Sequence, residues 1–150
     1  MKKAFYIFSP MLYLLLLPAF VSACGCFQLN PNQTVRQAVS KARQSAKAIF
    51  SGKVVEVVRE PYASTGYYVV VRFEVERSWK KVEANEITII SILTDCTYPF
   101  EIGESYLIYA DDSGQGMLDT SVCSRTRKLK EAKEDLKLLG RGKVPKKSKV

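Results

Sequence analysis

The chain has 150 residues, 47% of them hydrophobic and 25% charged, a composition that excludes disorder throughout and a length that suits one domain. It contains no histidine, which removes Ser-His-Asp and Cys-His catalysis and any His-ligated zinc. The formal charge of +8 sits at the two ends: setting aside two basic residues at the start and five in the last ten from the total of 23 leaves 16 against 15 acids, too balanced to point to nucleic acid.

Residues 1–23 read as a signal peptide for export. Lys2 and Lys3 form the basic start, residues 6–20 supply an apolar stretch interrupted by Pro10 and Pro18, and Val21-Ser22-Ala23 offers small residues for cleavage before Cys24. The stretch is short for a membrane span and no basic cluster follows it. Export places the remaining chain in an oxidising compartment, secreted or periplasmic, where Cys24, Cys26, Cys96 and Cys123 suit two disulfides better than free thiols. Zinc is the competing use of four cysteines, but Cys24-Gly25-Cys26 has one intervening residue and makes a poor knuckle. Of three pairings, bridging Cys24 to Cys26 closes a very tight ring, so the unstrained choices send each to a distant partner and pin the start of the domain to its body. Each long bridge is worth roughly 4 kcal/mol.

From Val35 the positions Val35, Ala38, Val39, Ala42 and Ala46 follow one helix face, with Asn32 or Thr34 to cap its start. Asn32-Gln33-Thr34 is also an N-glycosylation pattern, though capping is its expected role. Gly52 and the branched Val54, Val55, Val57 and Val58 mark a first strand over residues 48–59, ended by Pro61 and the turn residues 64–66. Tyr67, Val69, Val71, Phe73, Val75 and Trp79 alternate with Arg72, Glu74 and Glu76, predicting a long strand with one wet face. Further strands are predicted over 87–93, 106–110 and 117–122, with a turn at 114–116. Leu129, Ala132, Leu136 and Leu139 mark a second amphipathic helix stopped by Gly140, and residues 141–150 read as a basic, solvated and disordered tail.

Five strands in so short a chain suggest a mainly β protein, a small closed or partly closed barrel with flanking α-helices rather than a two-sheet sandwich. Carboxylates offer no acid–base pair: Glu74 and Glu76 share the wet face of a strand, and Asp111-Asp112-Ser113-Gly114 is a turn composition. No catalytic role and no cofactor are expected.

The leader, Cys24-Gly25-Cys26, the helix, Phe50-Ser51-Gly52-Lys53-Val54, Arg77-Ser78-Trp79-Lys80, Cys96, Gly103-Glu104-Ser105-Tyr106-Leu107 and Cys123-Ser124-Arg125 together resemble the N-terminal netrin-like domain of the tissue inhibitors of metalloproteinases. The likeness spans residues 24–140 and resembles the single-domain, two-disulfide bacterial type, without the second six-cysteine domain of the animal inhibitors. It implies bridges Cys24–Cys96 and Cys26–Cys123, and an OB-fold-like five-stranded closed barrel. It implies as partner a zinc metalloprotease, whose catalytic zinc the α-amine and carbonyl of Cys24 would chelate, with Gly25, Cys26, Phe27, Gln28, Thr94, Asp95 and Cys96 as the adjoining contact ridge. An α-amine with a pKa near ~8 yields its proton readily to a competing metal. Gly25 brings no side chain to the protease's specificity pocket, which implies broad or weak binding. Val21-Ser22-Ala23-Cys24 also satisfies a bacterial lipobox, and the alternative reading is a membrane-anchored, netrin-like binding module lipidated on Cys24, without inhibitory activity. A monomer is expected, with membrane contact only in the lipidated case.

Overall fold

A computed structural model describes residues 24–26, 32–63, 66–114 and 116–146; the leader, Phe27 and Gln28 lie outside the described residues. In chain order the elements are helix α1 (Val35–Ser45), strands β1 (Ala48–Tyr62), β2 (Gly66–Lys80), β3 (Glu86–Ile92), β4 (Ser105–Asp112), β5 (Leu118–Asp119) and β6 (Arg127–Lys128), a 3₁₀ turn (Leu129–Glu131) and helix α2 (Lys133–Leu139). The fold is mainly β, a nearly closed five-stranded barrel with two flanking helices.

β1 and β2 form one long antiparallel hairpin, and the first six residues of β1 pair on their other side with β4, Ala48 opposite Ala110 through Lys53 opposite Ser105. Register shifts at Ile49/Phe50, Ser51/Gly52 and Val54/Glu56 mark irregularities that bend a strand and raise its local twist, which lets β1 belong to both halves of the barrel. At the bend only glycine fits: a Cβ on Gly52 would stand 2.8 Å from the carbonyl oxygen of Glu74. β2 pairs with β3 and β4 with β5, so the strand order β3-β2-β1-β4-β5 returns on itself where β5 meets β3. That circuit, 1-2-3-5-4-1, is of the OB type.

The closing seam relies on side chains, because β5 is only two residues long. Ser91 Oγ donates to Asp119 across it, and the short bridge Thr97–Ser121 continues it. The strand predicted over 117–122 stops at Asp119 for a related reason. Thr120 Oγ1 donates to the Tyr109 carbonyl at 3.0 Å and the Tyr109 N–H donates to Thr126 Oγ1 at 3.0 Å, so hydroxyls satisfy the β4 backbone where a ladder would. β6, which pairs Arg127 and Lys128 with Leu107 and Tyr106, has no alternation to predict it.

The wet and dry faces of β2 follow the predicted alternation, with Val69, Val71, Phe73 and Val75 buried and Glu74 and Glu76 exposed. β4 is buried over Tyr106–Ala110, since it is covered on both sides. Tyr106, Ile108 and Ala110 face the barrel interior with Phe50, Val71, Phe73 and Ile89, whereas Leu107 and Tyr109 lie under the helices with Ile49, Val39, Ala132 and Leu139. Phe73 meets Phe50 and Phe100 edge-on at 5.6 and 5.1 Å, and Phe100 meets Tyr106 at 4.9 Å, so these aromatics are core contacts.

Thr34, rather than Asn32, caps α1: its hydroxyl accepts from the Gln37 N–H, and Gln37 Oε1 accepts from the Thr34 N–H, a reciprocal capping box. At the other end Lys80 Nζ donates to the carbonyls of Arg43, Gln44 and Ala46. α2 begins later than predicted, since residues 129–131 form the 3₁₀ turn. Gly140 then turns the chain with φ of 73°, and Trp79 Nε1 donates to its carbonyl at 2.8 Å.

Beyond Gly140 the chain remains largely exposed as far as Lys146, yet it is fastened to the barrel rather than disordered. β3 pairs no further along β2 than Glu86 opposite Glu74, which leaves the end of β2 with an open edge. Lys143 takes that edge with two backbone hydrogen bonds to Ser78 of 2.8 and 2.7 Å, and Lys146 bridges to Ala84. Residues 147–150 lie outside the described residues. No helix among the described residues is long and apolar enough to cross a membrane.

Candidate functional site

All four cysteines are bridged, Cys24 to Cys96 and Cys26 to Cys123, across 72 and 97 residues. The pairing left open by spacing is thus the one the family resemblance implied. Both anchor cysteines stand at the closing seam. After β3 the chain makes a tight turn in which the Thr94 N–H donates to Thr97 Oγ1 at 2.8 Å, the Cys96 N–H to Thr94 Oγ1 at 3.2 Å, and Thr97 Oγ1 to the Ile92 carbonyl at 3.0 Å. On the other side the Cys123 N–H donates to Ser121 Oγ at 3.3 Å. The Val122 N–H donates to the Cys96 carbonyl at 3.0 Å, so the two anchoring turns are tied together independently of sulfur.

Onto this base the bridges staple residues 24–26. Cys24 is half-buried, while Gly25 and Cys26 are exposed, and a Cβ on Gly25 would meet nothing within 4 Å. Thr94 and Asp95, adjoining Cys96, are exposed on the anchoring turn. The structure therefore brings Cys24, Gly25, Cys26, Thr94, Asp95 and Cys96 to one edge of the barrel. Ile92, Leu93 and Val122 are 51%, 38% and 39% exposed beside the anchors, giving the edge an apolar border.

Of the carboxylates set aside in the sequence, Glu74 and Glu76 lie on the exposed face of β2, whereas Asp111 and Asp112 end strand β4, paired with Asp119 and Leu118, rather than lying in the predicted turn. Glu76 accepts from Ser105 Oγ at 2.9 Å, and Asp112 accepts from the Gly114 N–H at 2.9 Å in the turn.

Two features escaped the sequence reading. The first is an open cleft of about 390 Å³ along the seam, of mixed lining, with Tyr68, Ile92 and Met117 beside Ser91, Asp119 and Ser121. The run Asp119-Thr120-Ser121 was read as strand, so its hydroxyls carried no separate signal. The second is a buried network behind Cys123. Arg125 donates from Nε and Nη2 to Asp135 at 2.9 and 2.6 Å, and the Tyr109 hydroxyl donates to the same carboxylate at 3.0 Å. Asp135 lies between Ala132 and Leu139 on the apolar face of α2, and a charge on that face was the available sign. The network ties α2 and β4 to the segment that carries Cys123.

No protein-family model matches the chain, and no curated protein matches it. The functional argument therefore rests on the stapled edge and on the sequence features around it.

Proposed function

We propose that the chain is an exported, metalloprotease-inhibitor-like binding protein. Cleavage after Ala23 would free the α-amino group of Cys24, and that amine with the Cys24 carbonyl would chelate the catalytic zinc of a protease and displace its activated water. The observation that carries this reading is the pair of bridges holding residues 24–26 on the closing seam with Gly25 open to solvent. A chelating pair fixed in this way has little conformational entropy left to lose on binding. Thr94 and Asp95 beside Cys96 would form the rest of the contact ridge, in keeping with the resemblance to tissue inhibitors of metalloproteinases. Thioether lipidation of Cys24, the lipobox alternative, would take the sulfur that bridges to Cys96 and leave three cysteines for one bridge.

The test starts with the intact mass of the exported protein and a map of its first peptide. The expected species begins at unmodified Cys24; a diacylglycerol on that residue sinks the chelate and leaves a membrane-tethered barrel. Against a panel of zinc metalloproteases, acetylating Cys24 or adding one residue before it should then abolish inhibition, because the lone pair is lost or displaced from the metal. Undiminished inhibition after either change would refute the mechanism.

Gly25→Thr should improve binding to a protease with a deep specificity pocket by roughly tenfold or more, the value of filling a pocket with one or two carbons. The fold should tolerate it, since the new side chain enters open space. Equal inhibition constants for the two proteins would count against the placement of Gly25 at the protease pocket.

A further inference from the structure

The two bridges lie side by side. Cys24 Sγ is 3.8 Å from Cys123 Sγ, which belongs to the other bridge, and the sulfurs of Cys24, Cys26 and Cys123 fall within 4.8 Å of one another. The Cys96 sulfur, bonded to Cys24, lies outside that group of three and would move in to complete a tetrahedron once the bridge is opened. A tetrahedral zinc tetrathiolate with Zn–S distances of about 2.3 Å has sulfur–sulfur edges of about 3.8 Å. The separation between Cys24 and Cys123 already has that length.

We propose that the reduced chain binds one Zn²⁺ through Cys24, Cys26, Cys96 and Cys123, the metal replacing the two disulfides as the cross-link of the seam. Two molecules of a dithiol reductant each deliver two electrons and two protons to one bridge and leave as disulfides, producing four thiols. Zinc then displaces the four thiol protons and is itself neither oxidised nor reduced. In the reverse direction a disulfide oxidant removes four electrons as the bridges re-form, and the ion is released.

The spacing Cys-x-Cys pointed away from zinc because one segment cannot wrap the ion. The fold removes that objection by drawing ligands from three segments. Two of the ligands keep their relative positions without any sulfur bond, since the Val122–Cys96 backbone hydrogen bond and the Thr97–Ser121 bridge join their turns. The proposal is independent of protease inhibition, which would use the amine and carbonyl of Cys24 rather than its sulfur.

The probe is Co²⁺, titrated without oxygen into the chain after full reduction with a phosphine, and then displaced with Zn²⁺. One equivalent should produce the intense visible bands and sulfur-to-cobalt charge transfer of a tetrahedral tetrathiolate, and one equivalent of Zn²⁺ should erase them. Cys26→Ser and Cys123→Ser should each weaken binding by more than roughly 100-fold, because even outer-shell partners of a metal site are worth 10–100-fold. If reduction alone erases the near-ultraviolet circular dichroism of the tertiary structure, one equivalent of metal should restore it. The proposal is overturned by absent tetrahedral bands, by a stoichiometry other than one, by failure to restore a lost tertiary signal, or by an affinity no higher in buffer than in concentrated urea.

Discussion

Replacing Cys26 and Cys123 together by serine should lower the thermal midpoint by about 15–20 °C, read by circular dichroism under non-reducing conditions. The bridge closes a loop of 97 residues, and removing that constraint from the unfolded chain is worth about 4–5 kcal/mol. In a domain of this size each kcal/mol moves the midpoint by about 4 °C. The double replacement leaves no unpaired thiol to reshuffle with the remaining bridge. Cys24→Ser with Cys96→Ser should cost nearly as much, since loop entropy grows only with the logarithm of length and the second loop spans 72 residues. The two variants should differ in inhibition, for only the second unfastens position 24, whose amine and carbonyl are proposed to chelate the zinc of a protease. A fall of less than about 5 °C in the first variant would mean that the unfolded chain is already compact without the bridge.

Asp135→Asn should destabilise the protein by about 3–5 kcal/mol at neutral pH, measured by urea unfolding. The carboxylate side chain is 2% exposed and that of its partner Arg125 14%, so the substitution leaves a largely desolvated guanidinium without its counter-charge. It also disturbs the acceptor of the Tyr109 hydroxyl, beneath the helices. Removing one member of such a pair is far more damaging than the net worth of the intact pair, which burial keeps modest.

The same network sets how stability changes with pH. Burial pushes the Asp135 carboxyl upward, but the Arg125 hydrogen bonds and charge, with the Tyr109 hydroxyl, outweigh it and hold the group below the usual carboxylate value. Its folded pKa is therefore depressed, and the stability it contributes is present above the ordinary carboxylate pKa of about 4 and lost as the pH falls through the folded value. Burial, and then the Asp135 charge, push the Tyr109 phenol well above its ordinary value. That contribution has the opposite sense: it is present below about pH 10 and is lost as the pH rises through the folded value. Asp135→Asn should flatten the acid arm of the stability profile. An unchanged urea midpoint at neutral pH would show that water replaces the lost carboxylate.

The elements legible in the sequence are those whose periodicity reflects a single environment. The residues of β2 alternate because one face meets the barrel core and the other meets solvent, and α1 shows its buried stripe at Ala38 and Val39 for the corresponding reason at helical spacing. Its start was also written locally, as Thr34 and Gln37 lie three residues apart. Where two environments cover one strand the pattern vanishes: β4 is buried without a break from Tyr106 to Ala110, and only the fold assigns Tyr106 and Ile108 to the barrel and Leu107 and Tyr109 to the helices. β5 and β6 are shorter than any periodicity and exist because β4 offers backbone groups to pair.

The candidate site divides along the same line. Cysteine number, the Cys-x-Cys spacing and the glycine between them can be read from the chain, because they concern composition and neighbours along it. So can the absence of histidine and the near balance of charge over residues 24–140. Spacing left the pairing of the cysteines open; tertiary structure decided it, and it alone set that both bridges meet at the closing seam and that the sulfurs of Cys24, Cys26 and Cys123 cluster there. It alone placed Asp135 against Arg125 and turned residues 143–146 back along β2 and the segment that follows it. These are contacts between positions far apart in the chain, created by closing the barrel, and no local propensity or period encodes them.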